Sequence, residues 1–196
     1  MPFDPKTVTI EADLSRADVQ VLHDLCAGKP VVEFGAGGST VLLARCAGRV
    51  TSYEPDPRWW KLARDRLNRE TEPTCTANVV HLPACAAPPP DAPKAGVYFI
   101  DGPPEHRPAW VREAILRKLA PVIVVHDSRR PDLMSGLEFL TRPPVMLKLE
   151  SLEWHARQSN MLVIRVRNQP VRWSNWNLTE RNGRAPHLHM QGPKPK

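Results

Sequence analysis

Hydrophobic residues along this chain follow two alternating patterns, short apolar runs and longer stretches in which apolar residues recur at helical spacing. Short apolar runs bounded by glycine, proline or acidic residues are typical of buried parallel strands. An apolar residue every three or four positions is typical of helices that pack by one face. The short runs predict strands over residues 31–34, 49–54, 78–82, 97–100 and 122–125.

Helices are predicted between these strands from capping residues as well as spacing. Ser15 and Asp18 have the spacing of a capping box, and Gly28 ends the helix that they begin. Asp56 followed by Pro57 starts another predicted helix, because proline is favoured in the first turn. Further helices are predicted over residues 39–47, 110–119 and 131–140.

Two more apolar runs, over residues 145–152 and 161–166, lie close enough in sequence to form an antiparallel pair. Strands that alternate with helices over short connections form an open, mainly parallel sheet with helices on both faces. The predicted fold is therefore a Rossmann-like, doubly wound α/β sheet that ends in an antiparallel C-terminal pair. Such sheets bind ligands beyond the carboxyl ends of their strands, where the strand order reverses.

One connection departs from the regular alternation of strands and helices. Residues 83–95 contain too many prolines for a helix, so we expect a loop where the third and fourth strands are usually joined by a helix. Such a loop would leave part of one sheet face open to a partner subunit or to the C-terminal segment.

The pattern ends near residue 168, which divides the chain into a domain over residues 1–168 and a C-terminal extension over residues 169–196. The extension carries five basic side chains and one acidic one, so it holds most of the net charge of +6. The remainder is nearly balanced, which argues against a nucleic-acid partner. Trp173 and Trp176 stand among polar residues, and we expect them to pack on the domain or on another copy in a homo-oligomer.

The cellular location is expected from absences in the sequence. No stretch approaches the roughly 18 apolar residues of a membrane span, and residues 1–15 lack the pattern of a secretory signal. The four cysteines include no CxxC pair, which argues against a zinc site or a disulfide framework. We therefore expect a cytoplasmic protein that does not bind a membrane.

Three glycines lie between the first predicted strand and the helix that follows it. Gly35, Gly37 and Gly38 allow a ligand to approach the backbone closely, and Glu33 precedes them. A phosphate-binding P-loop is excluded because no lysine follows the last glycine. A dinucleotide fingerprint is disfavoured because Thr40 stands where a small residue is needed for close packing of helix on strand.

This turn resembles the first motif of class I S-adenosylmethionine (SAM)-dependent methyltransferases, an acid followed by Gly-x-Gly. The resemblance covers about residues 12–167 and implies a seven-stranded methyltransferase-type fold with SAM as cofactor. The resemblance implies that an acid at this place holds the ammonium of SAM, directly or through water, and amides at the start of the next helix favour its carboxylate. The residues of the turn expected to bind the cofactor are Glu33, Phe34, Gly35, Ala36, Gly37, Gly38, Ser39 and Thr40.

A second acid supports a nucleoside ligand at the same edge of the sheet. Glu54 ends the second predicted strand, nineteen residues after Gly35, where an acid accepts hydrogen bonds from ribose hydroxyls. NAD-dependent enzymes share this feature, so it does not distinguish SAM from NAD. Pro55 and Pro83, after the second and third strands, would border the adenine. Asp101, which ends the fourth strand, is also expected to contact the cofactor.

Chemistry is expected at the ends of the fourth and fifth strands, beside the methyl group of the cofactor. Asp101 and Asp127 end these strands and would share a divalent cation through oxygen ligands. This resembles catechol-type O-methyltransferases, whose acids at these places bind Mg²⁺, although Ser128 stands where that family has asparagine. Without a metal, His126 or His106 would act as general base, because histidine titrates near neutral pH.

These residues also have purely structural interpretations. In that alternative, His126 packs at the edge of the sheet and Asp127 caps the next helix. Arg107, Arg129 and Arg130 would recognise a carboxylate or phosphate on an anionic substrate, although arginines in loops are often only solvated.

The favoured function is SAM-dependent methyl transfer to a hydroxyl of a small molecule or sugar. The alternatives are an NAD-binding oxidoreductase on a Rossmann-type sheet and a catalytically inactive methyltransferase-like interaction module. A nucleic-acid amino-methyltransferase is disfavoured, because its acid-Pro-Pro-aromatic signature is interrupted here by Gly102 and followed by Glu105.

Overall fold

The computed structural model of the chain describes residues 14–69, 76–83, 86–154 and 159–167. The C-terminal extension with its two tryptophans lies outside the described residues, so the expected division at residue 168 stays a prediction. The seven strands are β1 (Pro30–Phe34), β2 (Arg49–Glu54), β3 (Thr76–His81), β4 (Val97–Ile100), β5 (Val122–Val125), β6 (Leu149–Trp154) and β7 (Leu162–Val166).

Helices connect most of these strands. The α-helices are α1 (Arg16–Cys26), α2 (Gly38–Cys46), α3 (Pro57–Arg69), α4 (Arg107–Leu116) and α5 (Pro131–Gly136), and short 3-10 helices cover Glu138–Thr141 and Met146–Lys148. Among the described residues, no helix has both the length and the apolar character needed to cross a membrane.

The strands form one sheet in the order β3-β2-β1-β4-β5-β7-β6. Strands β1 to β5 run parallel, and β7 pairs antiparallel with both β5 and β6. The predicted doubly wound sheet with an antiparallel C-terminal pair is confirmed. The order reverses between β1 and β4, so a ligand is expected beyond the carboxyl ends of these two strands.

Apolar side chains on the two faces of the sheet belong to separate clusters. Successive residues of a strand point to opposite faces, so the neighbours Val31 and Val32 lie in different clusters. One face packs against α1 and α2 through residues such as Leu22 and Leu42. The other packs against α4 and α5, where Trp110 is fully buried. The strand ends that carry the site are therefore held by a core on each side.

Helix α1 begins at the predicted capping box. Ser15 Oγ accepts from the amide of Asp18 at 3.1 Å, and the Asp18 carboxylate accepts from the amide of Ser15 at 2.8 Å. Asp18 also accepts from Ser159 Oγ and the amide of Asn160, which ties α1 to the segment before β7. Burial raises the pKa of Asp18, but these hydrogen bonds outweigh it and the net pKa is lowered. Gly28, with φ +68°, ends the helix as expected.

The proline-rich loop after β3 forms no helix in the part that the structure describes, as predicted. It lies over part of the sheet face that we expected to be open. The Arg117 guanidinium donates to the carbonyls of residues 88–90 at 2.7 to 3.1 Å. The Tyr98 hydroxyl donates to the carbonyl of Pro93 at 2.7 Å, and Ala92 is buried in the cluster on this face. Val80 and Leu82 on the same face are only partly buried, so a partner there stays a prediction.

Helix α4 starts earlier than predicted. It begins at Arg107 and not at Trp110, because Pro108 suits the first turn of a helix. It also ends earlier, before Lys118, which has φ +51°. The shift matters because it makes Arg107 part of a helix that packs on the core, whereas the sequence placed it in a loop.

Candidate active site

A cleft of about 740 Å³ opens beyond the carboxyl ends of β1, β2, β4 and β5. Its place is the reversal of strand order, and its volume is within the range of about 300–1,000 Å³ typical of small-molecule sites. The predicted site residues that line it are Gly35, Ala36, Gly37, Gly38, Ser39, Glu54, Asp101, His126 and Asp127. Leu14, Asp56, Trp59, Gly102, Pro103 and Arg107 complete the lining.

The glycine turn is shaped by the neighbouring strand end as well as by the cleft. Gly35 has φ +93°, and a Cβ there would lie 2.5 Å from the amide nitrogen of Gly102. A Cβ on Gly102 would in turn lie 2.4 Å from the ring of Phe34. These two glycines therefore allow the ends of β1 and β4 to touch. Gly37 is different, because a Cβ there would meet nothing within 4 Å among the described residues, which leaves room for a ligand.

Glu33 does not reach the cleft, which corrects its expected contact with a ligand ammonium. Its side chain is fully buried, and its carboxylate accepts from Ser39 Oγ at 2.6 Å, from Thr40 Oγ1 at 2.7 Å and from Ser52 Oγ. Burial raises the pKa of Glu33 to about 7 despite these three hydrogen bonds. Thr40 Oγ1 also accepts from the amide of Gly37 at 2.9 Å. Glu33 and Thr40 therefore hold the turn in shape beneath the cleft.

Glu54 lines the cleft beside the turn, as predicted. Its Oε2 accepts from the amide of Ala36 at 2.7 Å, and its Oε1 accepts from the amide of Asp56 at 2.8 Å. Burial raises the pKa of this carboxyl against the effect of the two hydrogen bonds. A carboxylate oxygen has two lone pairs, so each oxygen can accept one more hydrogen bond from a ligand.

At the β4–β5 end of the cleft, Asp101, His126 and Asp127 form a cluster whose potential ligand atoms lie within 4.8 Å of one another. His126 Nδ1 is 3.0 Å from Asp101 Oδ1. The predicted juxtaposition of the two acids at the ends of adjacent strands is therefore present in the structure.

His126 is enclosed in a way that does not suit direct contact with a substrate. Its Nδ1 is engaged by Asp101, and its Nε2 is buried, 3.9 Å from Asp18 Oδ2 and without a hydrogen-bond partner among the described residues. Burial lowers the pKa of His126, but the hydrogen bond to Asp101 and the charges of Asp101, Asp127 and Asp18 outweigh it, and the net pKa is raised. Because Nδ1 is engaged by Asp101 and Nε2 is buried, His126 is not placed to act as a free general base.

Asp127 is the less constrained of the two acids. Its side chain is 34% exposed, and its oxygens lie 3.9 Å from both His126 Nδ1 and Arg107 Nη1, beyond hydrogen-bond distance. Its backbone has φ +51°, an uncommon conformation for a residue other than glycine that concentrates at functional sites. It does not cap α5, whose N-cap is Arg130, so that structural alternative is wrong.

Solved structures with this architecture include several methyltransferases. An O-methyltransferase from Bacillus cereus in complex with SAH, the demethylated product of SAM, is 19% identical over 76% of this chain and 77% of that chain, with a TM-score of 0.55. A precorrin-6y C5,15-methyltransferase from Geobacter metallireducens GS-15 is 19% identical over 84% of this chain and 95% of that chain, with a TM-score of 0.57. The chain has the class I methyltransferase fold.

The fold of this chain is also similar to that of a cofactor-bound structure of Rv0187 from MTB. That protein is 25% identical over 77% of this chain and 78% of that chain, with a TM-score of 0.57. No protein-family model and no curated protein sequence matches the chain.

Within this methyltransferase fold, Arg107 lies between the two acids. Arg107 is 5% exposed, and its guanidinium donates to the carbonyls of Gly102, His126 and Asp101. Nη2 is 3.1 Å from Asp101 Oδ1, and Nη1 is 3.9 Å from Asp127 Oδ2. The arginine that we expected to bind a substrate anion is therefore already engaged by groups of the protein.

Several predicted residues lie away from the cleft of this methyltransferase fold. Phe34 stacks on Trp110 with ring centroids 4.3 Å apart. Pro55 and Pro83 are not part of the lining, and neither is His106, which precedes α4. The structure therefore does not bring His106 to the place expected for a base.

The remaining predicted residues near β5 also point elsewhere. Arg130 pairs with Asp132 at 2.9 Å on the surface, and Arg129 is exposed outside the lining. Ser128 is fully buried, and its hydroxyl donates to the carbonyl of Asn160 at 3.0 Å. None of the three is placed to contact a ligand in the cleft.

Trp59 is the main lining residue that the sequence did not indicate. It is 52% exposed at the start of α3, next to Asp56 and Glu54 in the cleft. The adjacent Trp60 is the one that packs inward, with Ala63 and Val79. Two adjacent tryptophans on one helix cannot both face the core, and that spacing was the available signal for Trp59.

Proposed function

We propose that this protein is a SAM-dependent methyltransferase that methylates a hydroxyl of a small molecule or sugar. The observation that carries the proposal is the place of Glu54, whose carboxylate lines the cleft directly beside the glycine turn. Asp101 and Asp127 line the same cleft on the far side of β1. Methyl transfer to a hydroxyl requires a group that binds the ribose of the cofactor and a second group that accepts the proton of the hydroxyl. The two sides of the cleft offer these two groups.

Residues of the cleft are suited to bind the ribose and the methionine part of the cofactor. The remaining lone pairs of Glu54 suit ribose hydroxyls. The open space at Gly37 admits the methionine part, and the amides at the start of α2 favour its carboxylate. Because Glu33 is enclosed, we assign the ammonium of SAM to Asp101, whose backbone packs against Gly35.

Asp127 is the proposed general base. When bound, SAM supplies an electrophilic methyl group on its sulfonium sulfur. Asp127 takes the proton of the acceptor hydroxyl while the hydroxyl oxygen bonds to the methyl carbon and the carbon–sulfur bond breaks. Asp101 is less suited to this role, because its Oδ1 already accepts from His126 and pairs with Arg107. His126 acts through Asp101 as a positioning residue.

The charge of the cleft supports a neutral acceptor. Four acidic side chains line it, against one arginine and one histidine. Arg107 is engaged by Asp101 and by backbone carbonyls, and Arg129 and Arg130 lie outside the lining. We therefore propose an acceptor without a carboxylate or phosphate, in place of the anionic substrate that the arginines indicated in the sequence.

Calorimetric titration with SAH tests the proposal. The wild-type protein is expected to bind one SAH with a Kd on the order of micromolar. Glu54→Gln is expected to weaken binding about tenfold or more, because a hydrogen bond to a charged group contributes about 1.5–3 kcal/mol. The matched control is Glu150→Gln, an exposed glutamate on β6, which should bind SAH like the wild type.

Glu54 also holds the amide of Ala36, so its variant needs a check of the fold. Thermal unfolding of both variants shows whether the glycine turn stays folded. Full SAH affinity in a folded Glu54→Gln variant would contradict the assigned role of Glu54.

A further inference from the structure

We propose that the guanidinium of Arg107 is a built-in positive charge that stands in place of a divalent metal ion between Asp101 and Asp127. For its catalytic meaning this inference rests on the proposed function, in which Asp127 must be held ready to accept a proton. The charge arrangement itself rests only on the geometry of the described residues.

The guanidinium is fixed by the ends of two strands. Nε donates to the carbonyl of Gly102 at 2.5 Å, Nη1 to the carbonyl of His126 at 2.7 Å and Nη2 to the carbonyl of Asp101 at 3.3 Å. Arginine has five N–H donors in a rigid plane, so three hydrogen bonds to carbonyls fix the orientation of the whole guanidinium. In Arg107 this orientation places Nη1 and Nη2 near the carboxylates of the two acids.

The guanidinium lies beside the carboxylates of both acids. Nη2 of Arg107 is 3.1 Å from Asp101 Oδ1, and Nη1 is 3.9 Å from Asp127 Oδ2. The guanidinium is buried, so its charge is weakly screened and would repel a divalent ion that approached the same oxygens. Leaving the site is also unfavourable for Arg107, because three carbonyls would lose a donor and two of these hydrogen bonds are buried.

The donor set does not suit Mg²⁺ in other respects. Magnesium prefers oxygen ligands in octahedral geometry, whereas the third member of the cluster is His126, whose Nδ1 is engaged by Asp101. The residue after Asp127 is Ser128, and its hydroxyl donates to the carbonyl of Asn160. The residues present therefore fit an arginine and do not fit the magnesium ion that the resemblance to catechol-type enzymes implies.

The role that follows for Arg107 is that of a positioning residue. It pairs with Asp101 and, without a metal, places a fixed positive charge 3.9 Å from Asp127 Oδ2. Removing the guanidinium while keeping the fold should then allow a divalent cation to approach the carboxylates of Asp101 and Asp127, whose oxygens lie within 4.8 Å of one another.

Titration with Mn²⁺, followed by the loss of its free electron paramagnetic resonance signal, tests this. The wild type and Arg107→Lys, which keeps a positive charge, are expected to bind no stoichiometric Mn²⁺ at about 0.1 mM metal. Arg107→Met, which has a similar length and no charge, is expected to bind one Mn²⁺ at least tenfold more tightly than the wild type. Arg107→Met combined with Asp127→Asn should lose that site again.

Two results would overturn the inference. One is stoichiometric Mn²⁺ binding by the wild type that Asp127→Asn abolishes, and this test holds even where Arg107→Met does not fold. The other is an Arg107→Met protein that unfolds at a temperature close to that of the wild type and yet binds no Mn²⁺. SAH titration of the same samples separates the two proposals, since loss of SAH binding in all of them, wild type included, counts against the cofactor and not against Arg107.

Discussion

The two sides of the cleft satisfy their carboxylates in different ways. Beside the glycine turn, Glu33 accepts from three hydroxyls and Glu54 from two backbone amides, and all of these donors are neutral. At the ends of β4 and β5, Asp101 and Asp127 face the charged Arg107 and the imidazole of His126. Neutral donors in fixed positions hold the shape of the turn, whereas the buried guanidinium places a positive charge beside two carboxylates. This difference is consistent with our proposal that the first side binds the cofactor and the second accepts the proton.

The largest effect on activity is expected from removing the carboxylate of Asp127, at the ends of β4 and β5. Asp127→Asn should lower the rate of methyl transfer by about 100-fold or more, because general-base catalysis contributes typically 10²–10⁴-fold. SAH affinity should stay close to the wild-type value, since Glu54 and the turn are unchanged. Once an accepted substrate is known, SAH production under saturating SAM measures the rate.

The control for this variant is Asp132→Asn, an exposed acid paired with Arg130 outside the cleft. It should retain the wild-type rate. If Asp127→Asn methylates at the wild-type rate, the proton acceptor lies elsewhere and the contrast between the two sides fails.

An intermediate effect, on the free energy of unfolding, is expected from Glu33 beside the glycine turn. Its pKa is raised from 4.5 to about 7, so the folded protein binds a proton that the unfolded chain has released. The contribution of Glu33 to stability is therefore fully present below about pH 4.5 and is lost as the pH rises to 7. The total change is about 3 kcal/mol, because each pKa unit corresponds to about 1.4 kcal/mol.

Urea unfolding at several pH values measures this effect. Glu33→Gln, which cannot ionise, should show a smaller decline in unfolding free energy between pH 4.5 and 7 than the wild type. Glu153→Gln, at a partly exposed site beside Arg165, should keep the wild-type pH dependence. Equal pH dependence in wild type and Glu33→Gln would show that Glu33 is ionised throughout this range.

The smallest effect, on the affinity for SAH, is expected from Trp59, at the start of α3. Trp59→Ala should weaken SAH binding about three- to tenfold, since an aromatic contact contributes about 0.5–1.5 kcal/mol beyond burial. The control is Arg58→Ala, whose side chain is 93% exposed. Calorimetry gives both affinities, and unchanged SAH binding by Trp59→Ala would remove Trp59 from the ligand site.

The features that could be predicted from the sequence are those that depend on residues close together in the chain. The capping box of Ser15 and Asp18, the turn at Gly35 and the acid at Glu54 each lie within one strand–helix unit, and each is present in the structure. Periodicity likewise predicted the five parallel strands to within two residues, because the alternation of buried runs and one-sided helices is a local property. It was wrong at the start of the sixth strand, where a 3-10 helix over Met146–Lys148 precedes β6.

What could not be predicted depends on contacts across the fold. Glu33 was assigned to the ligand because the sequence does not show that Ser52, on the neighbouring strand, points at the same carboxylate. Arg107 was assigned to a loop and to a substrate anion because its partners come from the ends of both β4 and β5. His126 was a candidate base until Asp18, far away in the sequence, was found beside its Nε2.

The most direct test of the central claim is to titrate the wild-type protein with SAH and, separately, with NADH in the same calorimeter. We expect SAH to bind with one-to-one stoichiometry and NADH not to bind, because we propose that the cleft beside Glu54 holds the nucleoside of SAM. Binding of NADH without SAH would contradict it and favour an oxidoreductase. Binding of neither would favour a methyltransferase-like fold retained for interaction alone.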